Sequence, residues 1–238
     1  LKAKEAAQNS PLEEQVLIRL ASCYERLNKA EEAFQIYQDF INKFPQSQYT
    51  YEMKLKSGVY YLKTKRDSLK SIDTLQNLLT QNPPPEIAGQ AWHTIGIAYY
   101  EMKDYEKAAD ALLKTITDYP QIKMGEEQFA WLSQYYLDAK KWDEARRVLK
   151  RMQEVLKDYP MPQRLQFRYA ECIQNLGKID EAIKEYQKVI DLAPPSTSAT
   201  EALFRIAQIY EQKNQIPEAL EFYERCANNG GSETSARA

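Results

Sequence analysis

Apolar residues recur along the chain at the spacing i, i+3, i+4 and i+7, the pattern of helices that are buried along one side. Clear examples run from Leu17 to Tyr24, Trp92 to Tyr99, Phe129 to Tyr136 and Leu203 to Tyr210. Each is followed by a short polar turn and by a second amphipathic stretch. The pattern therefore predicts consecutive pairs of helices, which we call the first and second helix of a repeat.

A small residue near the start of each second helix sets the length of the repeat. The spacing is 38 residues in the first interval and 37 in the others, and the positions are Ala33, Ser71, Ala108, Ala145, Ala182 and Ala219. Helices approach closely only where neither presents a large side chain, so we expect these residues to face small residues such as Gly96 on the first helices. Most repeats end in a proline (Pro45, Pro83, Pro120, Pro160, Pro194), which cannot continue a helix.

Residues 92–120 read W-x2-I-G-x2-Y, then A-x3-L, then P. In this pattern the chain resembles the tetratricopeptide repeat (TPR), and the other repeats follow it with varying fidelity. The resemblance implies an all-α, right-handed superhelical solenoid of about six repeats. The repeat length of 37 exceeds the usual 34, and the endings "FP" and "DYP" resemble bacterial cell-envelope TPR proteins of the outer-membrane assembly lipoprotein and Tol-system partner types. That resemblance favours the periplasm or cell envelope over the cytoplasm.

The domain organisation follows from the repeats. We expect a single TPR solenoid over residues 14–231, with repeats that begin near residues 14, 52, 89, 126, 163 and 200. Residues 1–13 are expected to be the tail of a preceding repeat or a linker, and residues 232–238 the start of a following repeat or a flexible tail. The chain is thus interpreted as a fragment of a longer TPR array.

Composition argues against catalysis and against metal or nucleic-acid chemistry. The net charge is −2, so the basic excess of a nucleic-acid binder is missing. One histidine (His93) and three scattered cysteines form no metal-ligand or disulfide spacing. We expect buried apolar roles for Cys23, Cys172 and Cys226. No catalytic residue, cofactor or metal is predicted, and no apolar stretch reaches the ~20 residues of a membrane span.

The resemblance implies a peptide-binding concave groove lined by positions 2, 5, 6, 9, 12 and 13 of each repeat. On these positions the chain carries many aromatic and basic side chains, which are the types enriched at binding hot spots. Arginine and aromatic side chains together favour a protein or peptide partner with acidic groups. The predicted groove residues are Arg19, Lys56, Tyr60, His93, Ile97, Tyr100, Trp131, Gln134, Arg164, Phe167, Arg168, Phe204, Arg205 and Gln208.

The sequence therefore predicts a non-catalytic protein-interaction scaffold that binds a peptide or protein segment in its groove. Two alternatives stay open. The first is a self-assembling structural repeat module, because terminal repeats without polar caps can stack head to tail. The second is the TPR region of a larger enzyme or RNA-binding protein. RNA binding is disfavoured by the charge and by the aromatic inner face.

Overall fold

The computed structural model describes residues 12–155, 163–192 and 195–229. Over these ranges the chain forms twelve α-helices and no strand, which confirms the predicted all-α helical repeat. The helices are α1 (Glu13–Arg26), α2 (Ala30–Lys43), α3 (Thr50–Lys63), α4 (Ser68–Leu79), α5 (Pro85–Glu101), α6 (Tyr105–Asp118), α7 (Glu126–Asp138), α8 (Trp142–Val155), α9 (Gln163–Asn175), α10 (Ile179–Leu192), α11 (Thr197–Gln212) and α12 (Ile216–Asn228). Odd-numbered helices are the first helices of repeats 1–6, and even-numbered helices are the second.

The chain divides into two compact parts, which we describe separately. The N-terminal part (residues 1–123) contains repeats 1–3, and the C-terminal part (residues 124–238) contains repeats 4–6. One continuous superhelix over residues 14–231 therefore stays a prediction. The expected roles of residues 1–11 and 232–238, and of Pro160 and Pro194, lie outside the described residues.

The small residues lie where first and second helices cross, as the sequence predicts. All six at the start of the second helices are buried. A Cβ atom on Gly96 would lie 2.7 Å from Leu112 Cγ and 3.4 Å from the Ala108 carbonyl oxygen, so only glycine fits at this crossing. Gly58 approaches Leu75 in the same way, with 2.5 Å between an added Cβ and Leu75 Cγ. The close crossing explains why these repeats need glycine in mid-helix despite its low helix propensity.

The equivalence of Gly58 and Gly96 corrects the register of repeat 2. Position 8 of repeat 3 is Gly96, so Gly58 is position 8 of repeat 2, and the repeat begins at residue 51 rather than 52. The additional residue of repeat 2 lies in its turn. There the Asp67 N–H donates to the Tyr61 carbonyl six residues earlier, whereas the corresponding bond from Asp104 to Tyr99 spans five.

Every turn between a first and a second helix contains one residue with positive φ. In five of the six turns the next residue donates its N–H to a carbonyl five residues earlier, which is the 6→1 hydrogen bond of a Schellman C-cap. Only one of these residues is glycine, although this backbone conformation strains a side chain with a Cβ. The residues are Asn28, Arg66, Lys103, Lys140, Gly177 and Asn214.

The contact between first and second helices takes two chemical forms. In repeats 1, 5 and 6, a tyrosine four residues after the small residue donates a hydrogen bond to a side chain at position 12. The pairs are Tyr37 to Glu25 (2.6 Å), Tyr186 to Gln174 (2.7 Å) and Tyr223 to Glu211 (2.7 Å). Repeats 2, 3 and 4 carry leucine in place of the tyrosine (Leu75, Leu112, Leu149) and no acceptor carboxylate or amide at position 12 (Leu62, Tyr100, Leu137).

Candidate partner-binding groove

A cleft of about 770 Å³ opens along the first helices of the N-terminal part. We call it the N-terminal cleft. Its wall combines apolar side chains from α3 and α5 with three carboxylates and two lysines. The principal lining residues are Glu25, Glu52, Leu55, Lys56, Val59, Lys63, Glu86 and Ile87. In the corrected register, the α3 members of this set occupy positions 2, 5, 6, 9 and 13, which are groove positions.

Lys56 is held inside the N-terminal cleft by two carboxylates. Its Nζ lies 2.9 Å from Glu25 Oε1 and 3.0 Å from Glu52 Oε1. Burial alone would lower the pKa of Lys56, but the hydrogen bonds to Glu25 and Glu52 outweigh burial and raise it. Tyr37 also donates to Glu25, and burial together with this bond raises the pKa of Tyr37. The charge of Lys56 is therefore compensated within the protein.

Tyr60 departs from its predicted role. In the corrected register it occupies position 10, where first helices pack on the preceding repeat. It is only 5% exposed and stacks on Phe34 of α2, with ring centroids 4.2 Å apart. Its hydroxyl donates to Glu31 Oε2. Tyr60 therefore supports the edge of the cleft and offers little surface to a partner.

The other residues predicted in the N-terminal part lie outside the lining of this cleft. Arg19 is exposed, whereas His93 and Ile97 are half-buried on α5. Tyr100 is exposed, and its ring centroid lies 5.6 Å from that of Tyr105. The structure thus brings Lys56 and the edge of Tyr60 into one cleft and leaves the remaining four as separate surface positions.

In the C-terminal part, three predicted groove residues are at least partly exposed and carry an aromatic ring or a positive charge. Trp131 is half-buried and stacks on Tyr135, with centroids 5.7 Å apart. Arg164 is exposed and Arg205 is half-buried. Neither arginine forms an ion pair with any residue that the structure describes, so both are available to a partner.

The remaining predicted residues of the C-terminal part have contacts within their own repeats. Arg168 pairs with Glu171 at 2.7 Å, and Gln134 donates to Asp138 at 2.7 Å. Arg205 Nη1 lies 3.5 Å from Gln208 Oε1. Phe204 packs edge-on against Tyr223 at 5.7 Å.

Phe167 is buried, with its ring 5.3 Å from that of Tyr186, and this corrects its assignment as a partner contact. Position 5 points partly toward the second helix of its own repeat, which explains the burial.

The carboxylates of the N-terminal cleft were not predicted from the sequence. Only basic and aromatic side chains were selected at the groove positions, and pairing between charged side chains was not considered. Glu25 had a usable signal, since it precedes Tyr37 by the same 12 residues that separate Glu211 from Tyr223. Glu52 lies at position 2 in the corrected register, whereas a repeat that begins at residue 52 places it at position 1, outside the groove.

The three cysteines do not behave alike. Cys172 and Cys226 are buried as predicted, and burial raises the pKa of the Cys172 thiol to about 12. Cys23 is exposed, which corrects the expectation. It occupies position 10, which in repeats 2, 3, 5 and 6 is buried against the preceding second helix, and no described second helix precedes α1.

Within the described ranges, no group of three or more histidine, cysteine, aspartate or glutamate side chains could hold a metal ion. Among the same residues, no helix is long and apolar enough to cross a membrane.

Comparison with known families supports the architecture derived above. Two sequence models, both described as tetratricopeptide repeat, match residues 163–229 and residues 15–47 and 90–121. Together they cover more than half of the chain, which belongs to the tetratricopeptide-repeat proteins. This fold generally serves non-catalytic protein interaction. A search of curated protein sequences finds no match.

Several solved structures are similar to this chain. A chain of the Naa15/Naa10 assembly bound to HypK-THB is similar over 89% of this chain and 30% of its own length, with 15% identity and a TM-score of 0.57. A tetratricopeptide repeat protein from Parabacteroides merdae covers 99% of this chain and 86% of its own, with 16% identity and a TM-score of 0.48. YrrB, described as a TPR protein with an unusual peptide-binding site, covers 83% and 93%, with 17% identity and a TM-score of 0.46.

Proposed function

We propose that the chain is a protein-interaction scaffold that holds a segment of a partner protein against its first helices. The observation that carries this proposal is the N-terminal cleft, where Val59 and Ile87 offer apolar contact beside charged groups. Pockets of this kind bind through apolar contact and gain specificity from a few polar groups. Its volume of about 770 Å³ suits several side chains of an extended segment.

The C-terminal part offers a second contact surface in this proposal. Trp131, Arg164 and Arg205 combine an aromatic ring with two guanidinium groups, the chemistry that recognises acidic side chains next to apolar ones. Acidic character of the partner is proposed for this part alone. In the N-terminal cleft, Lys56 is already bound by Glu25 and Glu52.

The test is crosslinking and pull-down of partners with matched variants. One variant replaces Val59 and Ile87 by glutamate, and another replaces Trp131, Arg164 and Arg205 by alanine. The control replaces Lys150 and Lys184, which are exposed on second helices, by alanine. We expect capture to fall at least tenfold, about 1.4 kcal/mol, in the groove variants and to be unchanged in the control. Equal capture by all three variants would disprove the groove assignment.

We also propose a bacterial cell-envelope location. The support is the 37-residue repeat with its closing "FP" and "DYP" motifs. Fractionation of the source cells tests this proposal, and recovery in the cytosolic fraction alone would contradict it. Of the alternative functions, self-assembly is favoured by a specific observation, which the next section develops.

A further inference from the structure

Within each of the two parts, consecutive repeats meet through a recurring pair of positions. The residue that follows the small residue of one second helix lies against position 10 of the next first helix. Phe34 stacks on Tyr60 in this way, and Ile72 shares a buried apolar cluster with Ala98. In the C-terminal part the same positions are Arg146 and Cys172. Burial raises the pKa of that thiol, and the charge of Arg146 opposes part of the rise.

A second recurring pair lies beside the first. One member stands two residues before the small residue of a second helix. The other stands just before the positive-φ residue in the turn of the next repeat. Glu31 and Lys65 form an ion pair at 2.8 Å in this geometry, and Asp180 and Lys213 form one at 2.7 Å. Together the two pairs specify the side chains through which a second helix contacts the first helix that covers it.

The corresponding positions at the two ends of the described array are open. On α12, Leu220 follows the small residue Ala219 and is 56% exposed, and Ile216 beside it is 54% exposed. On α1, Cys23 at position 10 is exposed, and Leu27 just before the turn is 65% exposed. Inside the N-terminal part the first pair, Ile72 and Ala98, is buried, whereas Leu69 and Met102 at the second pair's positions are 67% and 41% exposed. The exposure of Leu220 and Cys23 therefore marks the open faces.

The two open faces complement each other by the same rules. Leu220 corresponds to Phe34 and Cys23 to Tyr60, so an apolar pair replaces a stacked pair. Pro217 stands where Glu31 and Asp180 stand, and Leu27 stands where Lys65 and Lys213 stand. Both members of the ion pair are thus replaced by apolar residues, and no charge at these positions is left unmatched.

We propose that α12 of one copy of this chain packs on α1 of a second copy, which joins the copies head to tail. The occupant of each open face is then the opposite face of the same protein, in the geometry that already joins repeats within the chain. Such a contact is heterologous, because different surfaces of the two copies meet, and it can propagate from copy to copy.

Crosslinking tests the predicted neighbours directly. The variant Leu220→Cys places a thiol that should lie beside Cys23 of the next copy, while Cys172 and Cys226 are buried. With a short bismaleimide we expect a ladder of dimers and larger species, with residue 220 joined to Cys23 in the peptide map. Two controls are Leu220→Cys combined with Cys23→Ser, and Lys150→Cys, because Lys150 is also exposed, on α8. Neither should give a ladder above about a tenth of the test yield.

A measurement without crosslinker completes the test. We expect the average mass of the unmodified chain in light scattering to rise above 27.7 kDa with concentration, and Leu220→Glu to restore the monomer mass. Four results would overturn the proposal: a constant monomer mass, a mass unaffected by Leu220→Glu, crosslinks within one copy, or crosslinks no more frequent than with Lys150→Cys. Cover supplied by residues 1–11 or 230–238, which contain no cysteine, would appear as the first of these.

Discussion

Replacement of Ser71 by alanine is expected to stabilise the N-terminal part. Ser71 stands at the small-residue position of repeat 2, where the five other repeats carry alanine. Its side chain is fully buried at the crossing with α3. Its Oγ makes no hydrogen bond to any residue that the structure describes. Alanine fills the same space without a polar atom.

The expected gain follows from two contributions. A buried hydroxyl without a hydrogen-bond partner costs about 1–3 kcal/mol of desolvation, which Ser71→Ala removes. Alanine also has the better helix propensity, by about 0.5 kcal/mol in a helix interior. Deleting Oγ opens little space, so the cavity cost is small. The free energy of unfolding should therefore rise by about 1.5–3 kcal/mol.

Ser57 provides a matched control on α3 of the same part. It is buried, but its Oγ donates to the Met53 carbonyl at 2.8 Å and accepts from Gln38 at 3.0 Å. Ser57→Ala gains the same propensity and loses both bonds, worth about 0.5–1.5 kcal/mol each. We expect this variant to be less stable than the parent, so the two serine-to-alanine changes have opposite signs.

Urea unfolding measures both variants. When Trp131 and Trp142 are replaced by phenylalanine, the fluorescence of Trp92 reports on the N-terminal part alone. The Ser71→Ala midpoint should rise with an unchanged dependence on urea. A neutral or destabilising result would refute the reasoning, because it would mean that Ser71 Oγ is satisfied in solution.

Three further predictions concern the turns, the helix crossings and the tyrosine pairs. Lys140→Gly should raise stability by about 1 kcal/mol in urea unfolding, because glycine adopts positive φ without strain; no gain would mean that the turn is unstrained. Gly96→Ala should lower stability by about 1–2 kcal/mol, because the added Cβ meets Leu112 and overpacking outweighs the helix propensity gained; an increase would show that the crossing relaxes. Burial and the bond to Glu211 raise the pKa of Tyr223 to about 12, so its contribution is complete below pH 10 and is lost as pH rises toward 12. Tyr223→Phe should therefore cost about 1 kcal/mol at neutral pH, and this difference should shrink with rising pH; a constant difference would exclude the linkage.

The repeat architecture could be predicted because one local rule recurs six times. The spacing of Ala108, Ala145, Ala182 and Ala219 is unaffected by neighbouring loops, and each small residue lies buried at a helix crossing as expected. Apolar periodicity placed the helices for the same reason.

The register of α3 was misassigned although the sequence distinguishes the two possibilities. Gly58 and Tyr61 repeat the G-x2-Y spacing of Gly96 and Tyr99, whereas a start at residue 52 places Val59 and Leu62 at these positions. The close approach of Gly58 to Leu75 supports the register that begins at residue 51. The pairing of Lys56 could not be predicted, because Glu25 belongs to another helix and its distance from Lys56 depends on how the repeats pack.

The two kinds of contact between first and second helices restrict how copies of the repeat can be recombined. A second helix with tyrosine, such as that of Tyr186, needs an acceptor such as Gln174 on the helix before it. Joined instead to the first helix that carries Leu137, it would bury a hydroxyl without its acceptor. Whole repeats can thus be duplicated or exchanged as units, while a chimera that divides a repeat at its turn is penalised unless both halves come from the same chemical type.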